Sequence, residues 1–353
     1  MTAVDYPVGE RIPVGSRNDL IAALVARAQR PTRIVGGASA QDRLPAPPRE
    51  VGWISLAPMR KIVRLEPDDL TCSVEPGLPR VELDHALAEK GLRLPCAGTG
   101  SLGGIFARAE FAPLAPQALA ARSLLLGIEG VLAEGLPFRA GARVVKSVAG
   151  FDVHKLFTGS RGRLFAATLL HLKLRPLPRA NAHFLVQGLE TAPALGLFRD
   201  LRTRGSPPET LVLRRTRTGF AVAGTISGGT RLVSQWLAET GVTRVDAPPE
   251  LHLQHDSGSE IVGGHVRPSR LGELLQLLPP AAGLLVTGSG QFACALAPEQ
   301  SDLLLAALPG LQATAEIQQG ARERRGRATP QDPAVLGICH RLKRALDPRE
   351  LLL

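Results

Sequence analysis

Two glycine-rich turns hold the residues of this 353-residue chain best suited to chemistry. Gly36-Gly37-Ala38-Ser39-Ala40 follows the apolar stretch Thr32–Val35, and Ser101-Leu102-Gly103-Gly104 closes the run Leu94–Gly104. Amides that converge in such turns bind anions, and a diphosphate needs several of them. Gly36–Ala40 and Ser101–Gly104 are therefore candidate anion-binding turns. Ala38 and Ala40 restrict positive φ, so an ordinary strand-end turn stands as the second reading of the first loop. A further glycine, Gly150, lies in Val148-Ala149-Gly150-Phe151-Asp152. Asp152 suits an N-cap there, because its carboxylate can accept the free amides of the next turn.

Other chemistry is poorly supported. Gly98, Gly100 and Gly103 spell GxGxxG, but Pro95 interrupts the strand before it, Pro113 and Pro116 cut the helix after it, and no acid lies near Ala118–Leu124. That excludes a dinucleotide fingerprint of Rossmann type. His252 and His255 have HxxH spacing beside Asp256, without a supporting ligand set. Cys72, Cys96, Cys294 and Cys339 form no CxxC pair, so neither zinc nor iron-sulfur ligation is expected; buried thiols are. The basic run Ala321–Arg327 has no interleaved aromatics, so it reads as a solvated loop and not as a nucleic-acid site.

The elements that must position the turns follow from periodicity. Ser16 caps a helix over 17–30, with Leu20, Ile21, Leu24, Val25 and Ala28 at helical spacing. Strands are predicted at Thr32–Val35, Val51–Leu56, Lys61–Leu65 and Leu70–Val74. A helix over 79–90 carries Val81, Leu83, Ala86 and Leu87 on its buried side and ends at Gly91. Residues 124–140 read as a hairpin. A short helix starts at Asp152, Gly159 and Gly162 turn the backbone closely, and Phe165–Leu174 is a strand buried on both faces. Pro176 and Pro178 mark a domain boundary. Beyond Ala180, strands alternate with helices near 192–203 and 229–240, as in an α+β layer of ferredoxin-like type.

The stretch Gly141–Pro178 resembles the flavin-binding signature of the vanillyl-alcohol-oxidase-type (PCMH-type) FAD-binding family, in particular the FAD-binding accessory subunits of bacterial glycolate oxidase. Arg143, Lys146, Val148, Ala149, Gly150, Asp152, Leu156, Gly159, Ser160, Gly162 and Leu164 stand in matching order. Phe151 replaces the usual tyrosine, and Arg163 and Phe165 replace threonine and glycine. Glu66–Leu70 with Val74–Gly77, and Gly337–Pro348, resemble further family segments. The resemblance implies an α+β chain: a two-part PCMH-type FAD-binding domain over 1–178, then a ferredoxin-like cap over 179–353 with a C-terminal helix. It implies FAD on Gly36, Gly37, Ala38, Ser39, Ala40, Pro95, Ser101, Leu102, Gly103 and Gly104, with the flavin near Val148, Ala149, Gly150, Phe151 and Asp152. Ala38, Ala118 and Ser123 stand at positions where the family differs, which implies weaker FAD binding.

The same resemblance implies a glycolate- or lactate-type dehydrogenase, in which a homologous catalytic flavoprotein subunit oxidises the 2-hydroxyacid and an iron-sulfur subunit passes electrons on. The catalytic relatives' HxGDGNxH-like cap motif does not occur here, so no catalytic residue is assigned. Two other classes stay open: a scaffold that keeps the fold without flavin, and a free-standing flavin oxidase. The +10 charge, carried almost wholly by arginine, suits an anionic or acidic partner or reflects an arginine-rich composition. Met1–Pro13 lacks a signal-peptide layout, and no apolar run is long enough to span a membrane. A cytoplasmic chain is expected, at most peripheral on the membrane.

Overall fold

The computed structural model describes residues 11–27, 30–37, 51–96, 98–109, 121–143, 152–249 and 253–353. Strand β1 (Arg11–Pro13) leads into helix α1 (Arg17–Ala26), where Ser16 accepts the Asp19 amide and Leu20, Ala23 and Leu24 are buried. Strands β2 (Thr32–Val35) and β3 (Gly52–Ser55) join β1 in a parallel sheet, order β1-β3-β2. Strands β4 (Ile62–Glu66) and β5 (Thr71–Val74) follow, then helix α2 (Arg80–Ala88) and strand β6 (Leu92–Arg93). Helices α3 (Leu102–Arg108) and α4 (Ala121–Leu124) precede the hairpin β7 (Leu125–Val131) and β8 (Pro137–Gly141), and β9 (Ala166–Lys173) completes an antiparallel sheet in order β4-β5-β9-β7-β8.

Strand β9 is central in that sheet and is covered on both faces, as its apolar sequence requires. Ala167, Leu170 and Leu172 pack with Leu83 and Leu87 of α2 and with Ile105 and Phe106 of α3. Ala166 joins a second core with Val131, Leu20 and Ile54. Three expectations change here. Val81 is 58% exposed: Leu83 and Leu87 define the inner face of α2, and a residue two before Leu83 points away from it. The helix after Asp152 is a five-residue 3₁₀ turn, Val153–Phe157, and the Asp152 side chain makes no cap bond; its carbonyl accepts the Lys155 amide instead at 2.9 Å. A β-carbon on Gly159 would meet no atom within 4 Å, so its φ of +83° and not crowding requires glycine.

Strand β10 (Arg175–Pro176) pairs with β6, and a new sheet starts at Ala180. It contains β11 (Ala180–Leu189), β12 (Thr210–Thr216), β13 (Gly219–Gly228), β14 (Arg244–Val245), β15 (Glu260–His265), β16 (Gly283–Thr287), β17 (Gln291–Leu296) and β18 (Thr314–Gln319). Its helices are α5 (Thr191–Thr203), α6 (Thr230–Thr240), α7 (Leu271–Leu277) and α8 (Pro298–Ala307). The order β14-β11-β13-β12-β16-β17-β15-β18 is entirely antiparallel. It is two βαββαβ units, each of ferredoxin-like strand order, joined edge to edge at β12 and β16. One core runs under both, from Phe184 and Trp236, with ring centroids 5.2 Å apart, to Phe292 and Ile317.

Helix α9 (Pro333–Leu346) follows, and the chain then returns to the first half. The Thr32 amide donates to Leu351 O at 2.7 Å and the Leu353 amide to Thr32 O at 3.0 Å. Asp347, fully buried, accepts from Lys343 Nζ and from the Leu351 and Leu352 amides. Leu351 and Leu352 thus complete the core of α1. Among the described residues no helix is long and apolar enough to cross a membrane.

Candidate functional site

The two glycine turns meet. Gly36 and Gly37 leave the C-terminal end of β2, and Ser101 starts α3. Ser55 Oγ donates to Gly36 O at 3.2 Å and holds the first turn. A β-carbon on Gly36 would collide with Ser101 Oγ. On Gly103 it would lie 2.7 Å from Pro76 Cβ and 2.9 Å from Pro76 O. Gly37 has open space where its β-carbon would be. Gly36, Gly37, Ser101, Gly103 and Gly104 all line one cavity.

The amides divide unevenly between the turns. Leu102 N donates to Leu78 O at 2.9 Å and Gly103 N to Pro76 O at 2.7 Å. Gly104 N reaches Ser101 Oγ at 3.4 Å. The second turn therefore presents glycine α-carbons more than donors. The Gly36 and Gly37 amides have no partner among the described residues, which suits an anion.

Sequence reasoning missed much of the rest of the lining. Arg33, Arg108 and Arg161 bring positive charge, and Ile34, Phe157 and Phe165 supply apolar wall. Arg33 is buried against the Trp53 ring, 6.0 Å from its centroid. Arg108 Nε donates to Gly104 O at 3.1 Å. Arg161 has a left-handed φ of +55°, donates its amide to Ala107 O at 2.8 Å, and pairs with Glu316 from β18. Phe165 stacks near Phe157 at 5.8 Å and meets Phe138 edge-on at 4.8 Å. Arg161 and Arg163 flank Gly162 in sequence, and the first of them lines the cavity, so the arginines beside that glycine were the available signal.

Of the other expected cofactor residues, Leu102 is fully buried in the α3 core and Pro95 is buried outside this lining. Asp152 is exposed and also outside it. Ala38, Ser39, Ala40, Val148, Ala149, Gly150 and Phe151 lie outside the described residues. Glycine floor, Gly36 and Gly37 amides without a partner among the described residues, and three guanidinium groups fit the phosphate end of a dinucleotide.

A second, polar cavity shares Arg108 and Arg161 with the first and is otherwise lined mostly from the eight-stranded sheet, by His265, Gln291, Thr314, Glu316 and Gln318, with Ala109 and Thr329 beside them. His265 Nε2 donates to Ser289 O at 3.1 Å, and the carboxylate in the lining, Glu316, is held by Arg161. Among the described residues no three His, Cys, Asp or Glu side chains gather as for a metal; His252 lies outside them and His255 is exposed. Burial pushes the Cys72 thiol up to about 12 and the Cys96 thiol to about 11. The basic run is not merely solvated: Arg324 makes a two-pronged bond to Glu260, at 2.6 and 3.1 Å, and also binds Asp302.

Residues 12–141 match the FAD binding domain family. Glycolate oxidase subunit GlcE of Escherichia coli (strain K12) is 33% identical over 127 residues, 35% of this chain and 36% of that protein. Glycolate oxidase subunit GlcD of Bacillus subtilis (strain 168) is 31% identical over 143 residues, 39% of this chain and 30% of that protein. The mitochondrial D-lactate dehydrogenase [cytochrome] of Arabidopsis thaliana is 32% identical over 146 residues, 41% of this chain and 26% of that protein. The matched stretches thus span about a third of each relative or less. A solved alkyldihydroxyacetonephosphate synthase superposes over 97% of this chain and 75% of its own, with TM-score 0.70 and 12% identity; that likeness shows the fold. The expected PCMH-type fold is therefore present, and FAD is the cofactor these matches support.

Proposed function

Taking residues 12–141 as an FAD binding domain, we propose that this chain is the FAD-binding accessory subunit of a multi-subunit 2-hydroxyacid dehydrogenase of glycolate or lactate type. Residues 1–178 form its FAD-binding domain and 179–353 its cap, with the last residues reaching back to the first. Its partners are a homologous catalytic flavoprotein subunit and an iron-sulfur subunit, and it supports electron transfer or assembly. One observation carries the binding half of this reading. The Gly36–Gly37 turn and the Ser101–Gly104 turn close on one cavity, with two amides that have no partner among the described residues and Arg33, Arg108 and Arg161 around it. In this arrangement Gly36 and Gly37 donate to the diphosphate, the arginines offset its charge, and Phe157 and Phe165 exclude water from one side. Bound there, FAD would supply two-electron redox chemistry.

A scaffold without flavin is favoured by one observation: the Leu102 and Gly103 amides are already spent on Leu78 and Pro76. A free-standing oxidase needs a positioned base and a carboxylate-binding group. In the second cavity Glu316 is committed to Arg161, so turnover of glycolate or lactate by the isolated chain is not expected. The deciding experiment titrates FAD into the purified chain and follows flavin absorbance and fluorescence. Saturable binding that Gly37→Trp abolishes, with the far-UV spectrum unchanged, supports the accessory flavoprotein. No binding by the parent chain at saturating FAD establishes the scaffold instead. Binding that survives Gly37→Trp puts the phosphate site elsewhere.

A further inference from the structure

Helix α9 carries an apolar stripe that the rest of the described chain leaves uncovered. No residue of Pro333–Leu346 is buried. Val335 is 48% exposed, Leu336 39% and Ile338 49%. Cys339 is exposed as well, and Leu342 is half-buried. Positions 335, 338, 339, 342 and 346 fall on one face at helical spacing, and only the last of them, Leu346, packs on the core of the first half. Among the described residues the helix is anchored at that end: Lys343 Nζ donates to Arg163 O at 2.7 Å, to Leu352 O at 2.7 Å and to Asp347 at 2.6 Å. At the other end Asp332 accepts the Ala334 amide and starts the helix in solvent. Val335 and Ile338 are β-branched and cost an exposed helix some stability, so helix formation alone does not account for them.

The charge on the helix is one-sided. Between Asp332 and Asp347 the basic side chains are His340, Arg341, Lys343 and Arg344, and there is no carboxylate. Lys343 is spent on the anchor. Arg341 and Arg344 are exposed and have no ion-pair partner among the described residues. Arg341 borders the stripe, whereas Arg344 lies on the opposite side of the helix. A second copy of the chain would bring Arg341 toward its own counterpart, within a molecule of net charge +10, and like charges at a seam disfavour the pairing. Trp and Tyr are the side chains that settle at a lipid-water interface, and this helix has neither. Small and β-branched residues at heptad-like positions suit a close-packed protein seam instead.

We infer that α9 is a docking helix for a protein partner that presents an apolar helical stripe edged by aspartate and glutamate. The inference goes beyond the proposed function and does not require that FAD bind, since the helix lies outside the cofactor cavity. Loss of flavin in the titration above would leave it standing.

The test uses the full chain and a fluorescent three-heptad peptide with leucine at the a and d positions and glutamate at e and g. A matched peptide carries lysine at e and g. Binding is read by anisotropy and by protection of Cys339 from a maleimide. The glutamate peptide should bind at least tenfold tighter than the lysine peptide, weaken as salt rises, and shield Cys339. Ile338→Ser, and separately Arg341→Glu, should each weaken it at least tenfold while the melting temperature stays unchanged. Equal affinity for the two peptides, or no shielding of Cys339 by the glutamate peptide, overturns the inference. So does shielding by the chain's own self-association, seen in sedimentation and lost in Ile338→Ser. Shielding by phosphatidylcholine–phosphatidylserine vesicles in place of the peptide assigns the helix to a membrane surface and overturns it too.

Discussion

Gly37 and Gly103 line the same cavity and should tolerate change very differently. Gly103 lies against the Pro76 backbone, with its amide bonded to Pro76 O. A β-carbon there must push the two segments apart, at a cost of about 1–3 kcal/mol of the kind seen for overpacked cores. Gly37 has open space and no left-handed φ, so Gly37→Ala should stay within about 0.5 kcal/mol of the parent. Urea denaturation of the two alanine variants measures the contrast. Equal midpoints would mean that the Pro76–Gly103 contact is not tight in solution. For the same reason Gly37 is the position at which to block the cavity, since a large side chain at Gly103 would act on the fold as well as on the site.

The loop from Gly320 to Arg327 shows how one side chain can hold an element. Glu260 is buried at the edge of β15, next to β18. Arg324 satisfies both its oxygens and reaches Asp302 of α8, which lies beside β15 and β18. These bonds raise the Arg324 guanidinium further above its ordinary range, first through Glu260 and then through Asp302. A buried carboxylate left without its partner is a heavy penalty, whereas removing both charges together is mild. Arg324→Met should therefore lower the melting temperature by several degrees, and Arg324→Met with Glu260→Gln should recover most of the loss. A thermal melt of the double variant no better than the single would mean that the loop, and not the charge, was stabilising.

At the scale of the whole molecule, two buried histidines make stability depend on pH. Burial, chiefly, lowers the pKa of His154 and of His171, with Lys155 adding to the effect on the first and Arg143 to that on the second. His171 Nδ1 lies 2.8 Å from Ser73 Oγ in the five-stranded sheet, with Glu129 opposing the arginines around it. His154 Nδ1 has no hydrogen-bond partner among the described residues. A folded-state pKa below the unfolded value means that the unfolded chain binds more protons as pH falls. Both histidines thus contribute fully above the unfolded pKa of about 6.5, and the contribution is lost as pH falls from there toward the folded values. The melting temperature should drop between pH 7.5 and pH 5, and His154→Asn with His171→Asn should flatten that slope whatever it does to the absolute stability. A parent melting temperature that does not change over that range would refute the assignment.

Local pattern was enough to place many elements. Ser16 and the 3–4 spacing of Leu20 and Leu24 located α1, the apolar run around Leu170 located β9, and the turns at Gly36, Gly103 and Gly162 stood out because few other residues adopt or fit those backbones. Such signals depend on neighbours within a few positions. The tertiary structure decided what depends on residues far apart in sequence. It turned Leu102 inward, doubled the ferredoxin-like unit through the β12–β16 edge, and carried Leu351–Leu353 back to Thr32. It also brought Arg161 to Glu316, 155 positions away, and Lys343 to Arg163, 180 positions away. No local periodicity encodes such pairs. They follow from which strand edges and apolar faces remain to be satisfied once the local elements have formed, and that is settled only when the whole chain packs.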